Sequence, residues 1–321
     1  MSDVDGLIQR LGEGDRRALA RLLTLVEDGP VETQRAIVSA LHPRSGEARL
    51  LGVTGSPGVG KSTVTSALVA ELRRRGRRVA VLAVDPSSPL TGGALLGDRI
   101  RMQAHHDDEG VFVRSMAARG HLGGLAAAVP AAALVVAAAG FDDVVLETVG
   151  VGQSEIDVAS MADTTIVVLA PGLGDSVQAA KAGILEIADV LVVNKADQSG
   201  AGRLEAELRG MLELGHAVAP DGGPGWMPEL LRTVAVREEG IDALLDAIDA
   251  HGAGAGGDDR RAKALARARR WVAELAAGRI RAVLTAPGGP LAERLDELAA
   301  EVVERRTDPV TAAERLTAGI G

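Results

Sequence analysis

The spacing of apolar residues changes twice along this chain of 321 residues, and each change marks a boundary. Between residues 4 and 41, Leu7, Leu11, Leu19, Leu22, Leu23 and Val26 recur at helical intervals, until Gly29-Pro30 breaks the run. From Leu50 onward, short apolar runs alternate with helical segments, as in a parallel sheet built from crossover units. Strands are expected at Leu50–Thr54, Val79–Val84, Val111–Arg114, Asp143–Leu146, Thr165–Leu169, Val190–Val193 and Thr233–Val236. A helix is expected at Ile241–Ala250, and the glycine-rich run Gly252–Asp259 reads as a flexible linker by composition.

Beyond that run the pattern is helical only. Leu265, Ala268, Val272 and Leu275 alternate by three and four, as do Leu291, Leu295, Leu298 and Val302. Asp308-Pro309 then has the form of an N-cap followed by a first-turn proline. The expected fold class is α/β: a helical extension over 1–46, a doubly wound, mostly parallel sheet over 47–251, a linker over 252–260 and a helical arm over 261–321. Such an arm cannot bury its apolar stripe alone; it must pack on the sheet domain or on a second copy of itself.

Composition narrows the partners. The chain is 46% hydrophobic, but with two Phe, two Trp and no Tyr it lacks the stacking platforms that single-stranded nucleic acid uses. A net charge of -9 argues against nucleic acid or an anionic membrane as a main partner. The absence of cysteine excludes disulfides, thiolate metal sites and a thiol nucleophile. The apolar run near Ala126–Gly140 is interrupted by Pro130 and is too short to span a bilayer. The acidic start Met1–Asp5 has neither an apolar signal core nor an arginine-rich transit pattern, so a cytoplasmic location is expected.

Two of the four lysines then carry chemistry. Gly55, Ser56, Pro57, Gly58, Val59, Gly60, Lys61, Ser62 and Thr63 form a complete G-x-x-x-x-G-K-[ST] phosphate loop between an expected strand and an expected helix. Its backbone N–H groups and the helix dipole suit phosphate; Lys61 would bridge the β- and γ-phosphates and Ser62 would ligate Mg²⁺. Asn194-Lys195-Ala196-Asp197 is the N-K-x-D element that reads guanine: Asp197 can accept the base N1–H and 2-amino protons, Asn194 would tie this loop to the phosphate loop, and Lys195 would cover the base. Both motifs fall at carboxyl ends of expected strands, where wound sheets bind ligands. Together they define a P-loop domain that binds and hydrolyses GTP.

Other residues carry two readings each. Asp85, closing the second strand, is either a Mg²⁺-shell carboxylate or a turn-capping aspartate. Asp98, in a glycine-rich stretch, is either a metal or water ligand or an ordinary helix cap. Glu147 follows the fourth strand, where it could hold the metal or orient the attacking water, and the backbone N–H of Gly150 is placed to meet a γ-phosphate. Gln153 is a second water-positioning candidate or a solvated helix start. Gln178 and Lys181 share a helix face after Asp175, as a switch or as a plain surface. His105, His106, His121 and His216 suggest nickel or cobalt, but adjacent histidines point to different sides of a helix. No arginine is placed as an internal finger beyond the candidates Arg99 and Arg101.

The phosphate loop, Asp85–Ser88, Thr91–Asp98, Glu147–Glu155 and Asn194–Asp197 together resemble the MeaB/ArgK group of P-loop GTPases, the methylmalonyl-CoA mutase-associated G proteins. Leu122–Leu125 and Lys181–Asp189 are similar as well, and Glu147-Thr148-Val149-Gly150-Val151-Gly152-Gln153-Ser154-Glu155 is the most specific stretch. The resemblance implies a Mg²⁺-dependent GTPase acting as chaperone to an adenosylcobalamin-dependent acyl-CoA mutase, the cobalamin being reached only through that partner. It implies that Asp85 and Asp98 are metal and switch residues, that Glu147 is a catalytic-site acid, that Pro171–Lys181 is an additional switch, and that the C-terminal helices form a homodimerisation arm. The guanine-side element after Thr233–Val236 matches the family pattern loosely, and Val236 is taken as a nucleotide-binding residue. A GTP-dependent metal-insertion chaperone and a kinase of the amino-acid transport type are the alternative functions.

Overall fold

The computed structural model describes residues 2–45, 48–86, 105, 107–118, 124–148, 158, 160–172, 187–218, 227–254, 257–286 and 288–318. Its centre is a seven-stranded sheet in the order β3-β2-β4-β1-β5-β6-β7. The strands are β1 Arg49–Thr54, β2 Val79–Pro86, β3 Val111–Ala118, β4 Asp143–Thr148, β5 Thr164–Leu169, β6 Val190–Val193 and β7 Glu229–Arg232. Every pairing is parallel. β4, β5 and β6 are buried along their whole length, which accounts for the apolar runs Val144–Leu146, Ile166–Leu169 and Val190–Val193 at their centres.

Ten α-helices lie among the described residues: α1 Ser2–Gly12, α2 Arg16–Asp28, α3 Val31–Leu41, α4 Lys61–Arg74, α5 Gly124–Ala138, α6 Ala201–Val218, α7 Ile241–Gly254, α8 Gly257–Leu284, α9 Pro290–Val303 and α10 Pro309–Thr317. The two-residue period of β5 feeds two cores. Ile166 and Val168 pack with Leu68, Leu72, Leu244 and Ile248 on the side of α4 and α7. Val167 and Leu169 pack with Leu204 and Leu208 of α6 on the other face. α5 is apolar all round because it is sandwiched: β2, β3 and β4 lie on one side of it, α2 and α3 on the other. The helix runs through Pro130 rather than breaking there. The N-terminal helices thus form a third layer, held in addition by the Glu27–Arg114 ion pair at 2.9 Å.

Two expectations need correction. Thr233–Val236 is not a strand: β7 ends at Arg232, and Ala235–Arg237 turns as a 3₁₀ helix because its backbone is drawn onto Asn194. The stretch expected as a flexible linker is helical on both sides, since α7 continues to Gly254 and α8 begins at Gly257. The side chains that flank it are anchored: His251 of α7 is buried, and Lys263 of α8 pairs with Asp189 at 3.2 Å. The chain divides into two compact units, Met1–Arg267 and Ala268–Gly321. Within the second unit α9 and α10 pack through Leu298, Ala312 and Leu316, with Asp308 capping α10 by accepting from Val310 and Thr311 N–H at 2.9 and 3.0 Å.

Candidate functional site

β1 lies mid-sheet, between β4 and β5, and its carboxyl end runs straight into the phosphate loop. The loop is shaped by positions at which only glycine fits. Gly55 has φ 138°, and a Cβ there would lie 2.1 Å from the Val168 carbonyl oxygen. Gly60 has φ 97°, and a Cβ there would lie 2.5 Å from Asn194 Nδ2. Glycine therefore lets the loop lie against β5 and against the N-K-x-D element. α4 starts at Lys61, and Val64 N–H closes its first turn on the Gly60 carbonyl at 2.9 Å. Lys61 Nζ donates to the carbonyls of Gly55 at 2.5 Å and Ser56 at 3.2 Å, folded back over the loop it must serve. Lys61 and Ser62 are both buried.

Asn194 joins the two motifs. Its backbone N–H donates to Leu169 O of β5 at 2.8 Å, and its Nδ2 donates to Val59 O of the phosphate loop at 2.9 Å. Its Oδ1 accepts from Thr233 Oγ1 at 3.1 Å and from Ala235 N–H at 3.2 Å. One side-chain amide therefore spends both its ends on two other segments, the arrangement expected where a buried polar group is fully satisfied. Lys195 takes a left-handed φ of 55°, uncommon for a residue with a side chain, and its Nζ donates to Gly58 O at 2.6 Å. Asp197 is half-exposed, and its Oδ2 accepts from Arg237 Nη1 at 3.2 Å.

Glu147 is fully buried on β4 and stands opposite Val53 of β1 and Ala83 of β2. That register sets a carboxylate two residues short of the phosphate loop, on the neighbouring strand. Thr148 Oγ1 reaches Thr54 Oγ1 at 3.5 Å, a further link between β4 and β1. Asp85 lies near the end of β2, its backbone opposite Ala117 of β3. A serine hydroxyl and carboxylates are hard oxygen donors, the set that Mg²⁺ prefers. Val236 is exposed and borders, with Ser62, Thr63, Ser66, His105 and Glu238, a cavity of about 400 Å³ beside the first turns of α4. Its lining spans the phosphate-loop helix and the turn after β7.

The structure therefore brings together Gly55–Thr63, Glu147, Asn194, Lys195, Asp197 and Val236. Asp98, Gly150, Gln153, Asp175, Gln178 and Lys181 lie outside the described residues, as do Arg99, Arg101, His106 and His121. Of the histidines considered for nickel or cobalt, His105 Nε2 lies 3.1 Å from Ser66 Oγ and 3.0 Å from Ser66 O. Among the described residues no group of three or more His, Asp or Glu side chains is arranged to hold a metal ion. No helix among them is long and apolar enough to cross a membrane. Motif reading matched the guanine-side element only loosely and gave no role to Thr233, Ala235 or Arg237, which support the N-K-x-D loop from about 40 residues away.

A parallel sheet with a phosphate loop after its central strand, interlocked with an N-K-x-D loop, defines a P-loop GTPase. The family model described as methylmalonyl Co-A mutase-associated GTPase MeaB matches residues 19–287, and the chain belongs to that family. A Pyrococcus abyssi protein is 51% identical over 248 residues, 77% of this chain and 76% of that one. GTPase ArgK of Escherichia coli is 42% identical over 244 residues, 75% of this chain and 73% of that one. The crystal structure of a LAO/AO transport system kinase superposes with a TM-score of 0.72 at 29% identity, covering 99% of this chain and 98% of that one.

Proposed function

We propose that this GTPase is a Mg²⁺-dependent chaperone for an adenosylcobalamin-dependent acyl-CoA mutase of the methylmalonyl-CoA mutase type. It would gate loading of the mutase with its cofactor and protect it, acting in the cytoplasm as a homodimer. The observation that carries the mutase role is the family match over residues 19–287. The chemistry is supported by the interlock at Asn194, which fixes the base-reading loop against the phosphate-reading one.

In this reading GTP lies across the carboxyl edge of the sheet. Phosphate oxygens take the N–H groups of Gly58–Thr63, and Lys61 Nζ exchanges its bonds to Gly55 and Ser56 carbonyls for the β- and γ-phosphates. Ser62, Asp85, Asp98 and Glu147 would supply the oxygen ligands that hold Mg²⁺. When bound, Mg²⁺ neutralises charge that develops on the β- and γ-phosphate oxygens. Glu147 or Gln153 orients a water for in-line attack on the γ-phosphorus, Gly150 N–H steadies the γ-phosphate, and the bond to the β-phosphate oxygen breaks to leave GDP and phosphate. Asp197 accepts the guanine N1–H and 2-amino protons, and Val236 borders the nucleotide. Asp175, Gln178 and Lys181 carry the nucleotide state to the mutase. With no internal arginine finger assigned, intrinsic turnover is slow and rises when the partner binds.

The test is capture of the mutase from the native host, with the protein held in turn in its GTP-analogue, GDP and nucleotide-free states. Nucleotide-dependent capture of a B12-dependent mutase, with faster phosphate release in its presence, is expected. Capture of no acyl-CoA mutase in any state removes the chaperone role. Label from γ-labelled GTP appearing on protein instead of as free phosphate favours the kinase reading.

A further inference from the structure

The carboxylate assigned to guanine is already engaged. Arg237 donates from Nη1 to Asp197 Oδ2 at 3.2 Å, while its Nε and Nη2 hold the two carboxylate oxygens of Glu239 at 2.7 and 3.3 Å. A guanidinium gripped on one edge by a carboxylate has its plane fixed, so its remaining edge is aimed. The backbone that carries it is fixed too. Arg237 N–H donates to Val234 O at 2.8 Å, and Val234 and Glu239 exchange both backbone hydrogen bonds, at 3.0 and 3.3 Å. This turn is tied to the N-K-x-D loop through Ala235 N–H on Asn194 Oδ1 and through Ala196 N–H on Thr233 O at 3.1 Å. Arg237 and Asp197 are thus presented to each other by one hydrogen-bonded unit.

We propose that Arg237, anchored by Glu239, is a positioning residue that sets how sharply the site discriminates guanine from other purines. A carboxylate offers about four lone-pair positions; Arg237 takes one on Oδ2, which leaves enough for the N1–H and 2-amino protons of guanine. Glu239 offsets the arginine's charge, so the ion pair orients Asp197 without competing for the base. Without Arg237 the carboxylate turns freely, and a two-point contact loses more from that than a one-point contact does. Hypoxanthine has the N1–H but no 2-amino group, so the guanine-to-hypoxanthine affinity ratio reads the orientation of Asp197 directly.

This inference rests on Asp197 being the guanine acceptor, so Asp197→Asn is the control arm. Dissociation constants for GDP and IDP are measured by calorimetry on the full chain and on the Arg237→Gln, Glu239→Gln and Asp197→Asn variants. Loss of the GDP-over-IDP preference is expected in Asp197→Asn; an unchanged ratio there shows that Asp197 does not read guanine and ends both readings. Given that loss, Arg237→Gln is expected to lower the GDP/IDP affinity ratio about two- to fivefold, the range open to a half-exposed ion pair. Glu239→Gln moves the ratio the same way by less, and added salt lowers it in the wild type but not in Arg237→Gln. Equal weakening of both nucleotides would make Arg237 a mere support of the turn, and tighter GDP binding would make it a competitor. Either result, or an unmoved ratio with intact Asp197 dependence, overturns the proposal.

Discussion

Asn194 is buried, and its side chain serves one acceptor and two donors on two other segments. Alanine would leave the Ala235 N–H and the Val59 carbonyl without this partner inside the protein, a loss of about 1–3 kcal/mol. Asn194→Ala should therefore lower stability by that amount in urea unfolding and weaken GDP more than tenfold by calorimetry; unchanged binding would mean that the two loops need no tie. Asp197→Asn is different, because the residue is half-exposed and changes hydrogen-bond chemistry rather than packing. Its two acceptors become one acceptor and one donor, which suits xanthine. GTP binding should weaken by about a hundredfold while xanthosine triphosphate binding improves, as read by competition against a fluorescent nucleotide. Both motifs were legible in the sequence because each is contiguous. The guanine-side element was legible only loosely, and the roles of Thr233, Ala235 and Arg237 were not, since they reach Asn194 and Asp197 across some 40 residues with no fixed spacing to betray the pairing.

Among the elements, the root of α8 has its own electrostatics. Asp189, just ahead of β6, accepts from His251 Nε2 of α7 at 3.1 Å, Lys263 of α8 at 3.2 Å and Thr165 N–H of β5 at 2.8 Å. Burial alone would raise its pKa, but those hydrogen bonds, with the charges of His251 and Lys263, outweigh it and hold the carboxyl below its usual range. A depressed carboxylate pKa contributes stability that is complete above about pH 4 and is lost as pH falls through the lower folded value. Wild type should thus lose stability more steeply than Asp189→Asn below about pH 4. At pH 7 the variant should be weaker by about 1–3 kcal/mol, measured as urea midpoints followed by circular dichroism. Parallel acid profiles would show that Asp189 is not coupled to folding. This clamp is also why the glycine-rich stretch misled: composition reports the intrinsic freedom of 252–260, whereas anchored side chains on both flanks hold α7 and α8 helical up to 254 and from 257. β7 misled for the opposite reason. Its Glu-Leu-Leu-Arg run is an edge strand with exposed ends, while the more strand-like Thr-Val-Ala-Val after it gives its Ala235 N–H to Asn194, pairs Val234 with Glu239 and turns. β4, β5 and β6, buried throughout, were plain from their apolar runs alone.

For the whole molecule, the decisive feature is an apolar stripe that the single chain leaves in water. Leu265, Val272 and Leu275, spaced by seven and three along α8, are 58%, 65% and 46% exposed, and Ile280 and Val283 farther along are 44% and 48% exposed. Val303 and Val310 are exposed as well. Isolated exposed apolar residues are ordinary, but a run at helical spacing is the form of surface that a second helix covers. Burying the exposed half of each such side chain is worth about 1 kcal/mol, so several of them meeting their counterparts offset much of the cost of association. The homodimer proposed for this arm should therefore have twice the 32.9 kDa chain mass in light scattering at micromolar concentration. Val272→Lys combined with Leu275→Lys, which puts like charges on the stripe, should return it to single-chain mass. Because the phosphate and N-K-x-D loops belong to the unit Met1–Arg267, this pair of changes should leave GDP affinity within about twofold of wild type. A wild-type chain that stays monomeric at tens of micromolar, or a double variant that stays dimeric, would place the interface elsewhere; lost nucleotide binding in the variant would tie the arm to the site itself.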